Sequence, residues 1–127
     1  MIKEFIDKYG ANLVVEYNKT NIIFKTNNKN IRNNYVLKLY FDENVFKELI
    51  NNLKITSEQI WNNFNPKVAD SVGSDYSEYY DRKYDNNGYL NIYRDFSIRI
   101  EKPDKDTPYM YKFNKRRMES FIYDFIK

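Results

Sequence analysis

At 127 residues and a formal net charge of +3, the chain is one domain's worth of sequence, long enough to bury roughly two thirds of its unfolded surface without disulfides or metals. It holds 13 Tyr and 9 Phe but no His and no Cys. Those absences exclude Ser–His and Cys–His nucleophile pairs and the usual ligands of zinc, copper and iron–sulfur sites, leaving only carboxylates with Mg²⁺ or Ca²⁺, or a Lys or Tyr base.

In chain order, residues 2–9 place Ile2, Phe5, Ile6 and Tyr9 on one helical face and predict a short helix capped by Gly10. Strands are predicted next from a period of two: Leu13, Val15 and Tyr17, then Ile22 and Phe24, then Tyr35, Leu37, Leu39 and Phe41. Asn-rich turns separate them. Asp42 stands as the cap of a helix over 43–54 with Val45, Phe46, Leu49, Ile50 and Leu53 on one stripe. Thr56 and Gln59 are spaced as a capping box for a second, short helix carrying Ile60, Trp61 and Phe64 and stopped by Pro66.

Residues 67–88 read as polar loop with a strand at 77–84, and Asn87-Gly88 as a hairpin turn. The even positions Leu90, Ile92, Arg94, Phe96, Ile98 and Ile100 predict one long strand, or two broken at Arg94-Asp95. Tyr109, Tyr111 and Phe113 line a last strand. A C-terminal helix from Lys115 carries Met118, Phe121, Ile122 and Phe125 on one side.

The fold expected is a single α+β domain over 1–127, an antiparallel sheet of about five to seven strands with helices packed on one face. A helical and acidic insertion spans about 55–88. Phe41, Asp42, Phe46, Leu49, Ile50 and Leu53 repeat the spacing of Phe113, Asn114, Met118, Phe121, Ile122 and Phe125, which suggests a pseudo-duplicated βββα unit.

Four constellations could carry function. Leu49, Ile50, Leu53, Lys54, Ile55, Thr56 and Ile60 resemble the bacterial helix-turn-helix. Ile50 nevertheless stands where that motif wants a small residue, Lys54 where it wants Gly, and Trp61 at a DNA-facing position. The segment Asp70, Asp75, Tyr76, Glu78, Tyr79, Tyr80, Asp81, Tyr84 and Asp85 interleaves aromatic anchors with carboxylates, a chemistry suited to a basic partner surface. Asp70 with Asp81-Arg82-Lys83 loosely imitates a Mg²⁺ nuclease pattern. Asp85, Asn87, Gly88, Leu90 and Ile92 imitate part of a calcium loop, but Lys83 and Arg94 would occupy its ligand positions. Lys112, Lys115, Arg116 and Arg117 open the last helix, where cations oppose the macrodipole, as an acidic surface or phosphate contact would require.

The expectation from these readings is a non-enzymatic protein with no cofactor and no metal. Zero Cys suits a reducing cytoplasm, and no stretch approaches the roughly 20 apolar residues of a membrane span. Heavy use of Asn, Lys, Ile and Tyr, whose codons are AT-rich, points to a low-GC phage or mobile element. The protein would inhibit or modulate a host macromolecule, in the manner of an anti-CRISPR inhibitor. Its partner would be a host protein with a basic nucleic-acid-binding surface, with direct binding of nucleic acid weak and no membrane partner. The alternative expectation is a nucleic-acid-binding transcriptional regulator using helices 43–64 or the cluster at 112–117.

Overall fold

The structure, a computed structural model, describes residues 2–26, 36–69, 89–102 and 109–126. Its elements are β1 (Ile2–Ile6), β2 (Asn12–Tyr17), β3 (Ile22–Lys25), β4 (Val36–Tyr40), α1 (Glu43–Ile60), β5 (Tyr89–Ile92), β6 (Ser97–Glu101), β7 (Tyr111–Phe113) and α2 (Lys115–Ile126). The fold is α+β with antiparallel pairing throughout, but the strands form two sheets. One has the order β1-β2-β3-β7 and the other β4-β6-β5.

The repeat seen in the sequence has a topological counterpart. Hairpin β2–β3 lies in the first sheet, and the chain then crosses to the second as β4 before entering α1. Hairpin β5–β6 lies in the second sheet, and the chain crosses back as β7 before entering α2. Each crossing strand pairs with the second strand of the other hairpin, β7 with β3 and β4 with β6. The two βββα units thus exchange their third strands, and β1 stands outside the pattern. Neither unit completes a sheet alone.

Both sheets turn one face to a common core. Val15, Phe24 and Tyr111 form one cross-strand row, and Ile22 pairs with Phe113 in the next. In the second sheet Leu37, Ile100 and Leu90 form a row, followed by Leu39, Ile98 and Ile92. Phe46, Leu49 and Leu53 of α1 and Met118, Phe121 and Ile122 of α2 join the same cluster. Aromatic contacts run through it without a break, from Phe24 to Phe113 (4.9 Å), Phe121 (5.2 Å), Phe125 (4.9 Å), Phe46 (4.9 Å) and Phe96 (5.5 Å). Phenylalanine and tyrosine divide the work: every Phe is buried or half-buried, whereas among the described tyrosines only Tyr111 is buried. A phenol keeps one end wet at little cost.

The segment 2–9 is not a helix. Residues 2–6 pair with β2 as a strand, and of the four residues proposed for the apolar face only Phe5 is buried. An eight-residue stretch is too short to hold a helix by propensity, and the free edge of β2 offers every other N–H and C=O a partner. Gly10 does adopt the left-handed conformation expected of it, φ +86°, but in the β1–β2 turn.

The second, short helix is also absent, because α1 runs unbroken to Ile60. Thr56 and Ser57 extend the buried stripe of Phe46, Leu49 and Leu53, so Thr56 is a packing residue and not a cap. The helix therefore ends well before Pro66. Asp42 occupies the N-cap position but makes no side-chain cap bond. In α2 the residue at the matching position of the repeat does cap, Asn114 Oδ1 accepting from Arg117 N at 2.8 Å.

The two sheets are joined at Asp7, just past β1. Its buried carboxylate accepts from the backbone N–H groups of Tyr9 (2.9 Å) and Ala11 (2.8 Å) through Oδ1, and of Tyr40 (3.0 Å) through Oδ2. Lys8 N donates to Tyr40 O at 2.8 Å beside it. Here a side chain and a backbone bond together link the two sheets.

Candidate functional site

Two hairpin turns share one hydrogen-bond pattern. In the β1–β2 turn Asp7 N donates to Ala11 O at 2.9 Å and Gly10 N to Asp7 O at 3.2 Å. In the β5–β6 turn Tyr93 N donates to Ser97 O at 3.0 Å and Phe96 N to Tyr93 O at 3.2 Å. The position that takes positive φ holds Gly10 in the first and Phe96, at φ +64°, in the second. Glycine is the ordinary occupant of that position. A bulky aromatic there is an outlier costing about 1–2 kcal/mol. Asp95 braces the turn, accepting from Ser97 Oγ at 2.5 Å and Ser97 N at 3.2 Å. Chiefly the Ser97 hydroxyl bond, and then its amide, hold the Asp95 carboxyl below the usual range.

The strained Phe96 forms part of an open groove of about 350 Å³, lined also by Phe46, Ile50 and Phe125, with Lys47, Asn51 and Lys54 along α1. A second recess of about 260 Å³ adjoins it around Ile92, Tyr93, Arg94 and Asp124, sharing Phe46, Phe96 and Phe125. The lining is mainly apolar and aromatic with a few charged groups, the usual make-up of a binding site.

A different chemistry covers the outer face of the second sheet. Residues that alternate with the apolar core positions form cross-strand rows: Tyr40, Tyr93 and, buried between them, Ser97; then Lys38, Arg99 and Asn91; then Val36, Glu101 and Tyr89. Lys38 Nζ lies 5.2 Å from the Tyr40 ring centroid and 5.1 Å from that of Tyr93. Tyr9 meets Tyr40 edge-on at 5.6 Å.

Of the residues singled out in the sequence, Asp70, Asp75, Tyr76, Glu78, Tyr79, Tyr80, Asp81, Tyr84 and Asp85 lie outside the described residues, as do the strand at 77–84, Arg82, Lys83 and the Asn87-Gly88 turn. Among the described residues no three His, Cys, Asp or Glu side chains gather closely enough to hold a metal ion, and no helix is long and apolar enough to cross a membrane.

The basic cluster is partly absorbed by the fold. Lys115 Nζ donates to Asn62 O at 2.6 Å, fastening α2 to the segment after α1. Lys112 sits over the Tyr109 ring at 5.8 Å, and Arg116 and Arg117 are half-buried. The helix-turn-helix likeness fails on geometry: α1 passes straight through the position of the turn. Trp61, expected to face DNA, donates from Nε1 to Thr20 O at 3.1 Å and stacks on Phe64 at 6.0 Å.

The tyrosine face was within reach of the sequence in one respect. The odd positions Tyr89, Tyr93, Arg99 and Glu101 are the complement of the even apolar row already recognised. The left-handed Phe96 carries no such signal, since it completes that even row. Compared with protein-family models, curated proteins and solved structures, the chain matches none.

Proposed function

We propose that this protein is a non-enzymatic binding protein that attaches to a host macromolecule and blocks or modulates it, a CRISPR nuclease or another defence enzyme being the kind of target meant. The observation that carries the reading is Phe96, held at φ +64° in a glycine position so that its ring lines the open aromatic groove. Backbone strain of this kind persists where the side chain is needed. A groove of this size accepts an apolar anchor from a protein partner.

Two features of the sequence support the same reading. A chain without His or Cys has a narrow catalytic repertoire. Its heavy use of Asn, Lys, Ile and Tyr, residues with AT-rich codons, suggests a phage or mobile element, whose small proteins act on the host. Segment 70–85, with five acids among its tyrosines, is the part proposed to meet a basic nucleic-acid-binding surface of the partner protein, and the cytoplasm is the proposed compartment.

The test is capture from low-GC bacterial lysate with and without nuclease treatment, using the intact chain, Phe96→Gly and Tyr79→Ala. Glycine fits the turn, so Phe96→Gly keeps the fold while emptying part of the groove. A host protein captured after nuclease treatment, and lost by the Phe96 variant with an unchanged circular dichroism spectrum, is the expected result. Capture abolished by nuclease, or indifferent to both substitutions, overturns the reading.

A further inference from the structure

We infer that Tyr40 and Tyr93 form an aromatic cage for an alkylammonium group, a lysine side chain presented by a partner protein, and that Lys38 of the chain itself fills the cage until the partner displaces it. The inference rests on the second sheet alone and not on the groove, so either can fail without the other. It begins with placement. Tyr40 lies on β4 and Tyr93 at the end of β5, the two outer strands of this sheet, with Ser97 of β6 between them. Ser97 is small and buried, which leaves a gap between the two rings. Lys38 stands two residues before Tyr40 on the same face, and its Nζ lies 5.2 Å from the Tyr40 centroid and 5.1 Å from that of Tyr93. Both distances are within the roughly 6 Å over which a ring attracts a cation. Tyr9, edge-on to Tyr40 at 5.6 Å, braces the first ring from outside.

The group that fills the gap shows which chemistry the gap accepts. It is a primary ammonium on an alkyl stem, equally far from two π-faces. A compact point charge suits that midpoint, whereas a planar guanidinium would stack on one ring only. The remaining charges are matched in pairs. Arg99 Nη1 is 3.5 Å from Glu101 Oε2. Lys38 acts on Asp95, whose carboxyl is kept ionised chiefly by the Ser97 hydroxyl and to a smaller extent by the Lys38 charge. When Lys38 swings into solvent, the two rings and the Asp95 carboxylate lose their counter-ion, and a second ammonium restores it. An anion is repelled by the same carboxylate, and a neutral group gains contact area alone. The exchange is easy: Lys38 is exposed, Tyr93 is 45% exposed, and a cation–π contact at an exposed site is weak.

The test follows Tyr40 and Tyr93 ring resonances by NMR while choline, or its neutral isostere 3,3-dimethylbutanol, is added to the intact chain. Choline is expected to shift both rings, and the isostere to shift them far less. Lys38→Ala opens the cage and should tighten choline binding about 5- to 30-fold, the worth of two exposed cation–π contacts. Lys19→Ala, an exposed residue of the β2–β3 turn, removes the same charge elsewhere and should leave the affinity unchanged. Tyr93→Leu should abolish binding and Tyr93→Phe retain it. Lys38, Lys19 and Tyr93 are all exposed, so these variants keep the fold. Tetralysine should displace choline from the Lys38→Ala protein, and tetraglutamate should not. Equal binding of the isostere, unchanged affinity in Lys38→Ala, an equal gain in Lys19→Ala, or failure of tetralysine to compete would overturn the inference.

Discussion

Replacing Asp7 by Ala removes the side chain that helps to join the two sheets, leaving the backbone bond from Lys8 N to Tyr40 O. Its carboxylate, 7% exposed, accepts three backbone N–H bonds between 2.8 and 3.0 Å. Bonds to a charged acceptor contribute about 1.5–3 kcal/mol each, and each buried N–H left unpaired costs about 1–3 kcal/mol. The three share one carboxylate and are not additive, so the expected loss is about 3–5 kcal/mol, a large fraction of the ~5–15 kcal/mol that holds a domain together. At about 4 °C per kcal/mol for a chain of this size, Tm should fall by about 12–20 °C. Asp7→Asn separates the two jobs. Its single carbonyl can keep Tyr9 and Ala11 and hold the β1–β2 turn, but its amide then points a donor at Tyr40 N–H across the sheet junction. Urea and thermal melts should place Asp7→Asn between the parent and Asp7→Ala. A loss below about 1 kcal/mol in Asp7→Ala would refute the joint as described.

Gly10→Ala meets nothing within 4 Å, so its expected loss of about 1–2 kcal/mol is backbone strain alone; a urea melt identical to the parent's would contradict the turn. Glu119, 4% exposed, accepts from Asn65 N at 2.9 Å, and Glu119→Ala should cost about 2 kcal/mol and release the segment after α1, read as a change in emission from Trp61, the single tryptophan. Ser97→Ala should let the Asp95 carboxyl rise toward its ordinary value, checked by NMR titration, because the Ser97 hydroxyl is the main cause of its depression. A depressed folded-state pKa contributes stability that is present above the unfolded value and lost as pH falls through the folded one. The variant's stability should therefore depend less on pH across that acidic window.

The sequence made the local elements legible and hid the non-local ones. Strands β2, β3, β4, β6 and β7 and both helices were readable because each carries its own period, and the break at Arg94-Asp95 was one of two stated outcomes. The helix over 2–9 was misread because Ile2, Phe5, Ile6 and Tyr9 satisfy a helical face, while what decides the matter is a strand partner, Leu13 opposite Phe5. Thr56 and Gln59 fit a capping box in isolation; only the buried stripe of α1, which needs Thr56 and Ser57 as small packing residues, rules it out. The division into two sheets rests on pairings such as Ile22 with Phe113, to which no local pattern points. The groove shares this origin, since Phe46, Phe96 and Phe125 come from three separate elements.

The exchange of third strands ties both candidate surfaces to the whole chain. The second sheet is built from β4 of the first unit and β5–β6 of the second, so Tyr40 and Tyr93 face solvent side by side only when both units have folded together. The groove has the same dependence, because Phe46 belongs to the first unit and Phe96 and Phe125 to the second. Long-range pairing of this kind is slow to form and is stabilised only when complete. Binding by either surface is therefore linked to global folding, and a ligand that engages only the folded state must stabilise the entire domain by mass action. Asp7 makes the link specific: it bonds Tyr9 and Tyr40 at once, so a residue that helps to join the two sheets also positions two tyrosines of the outer face.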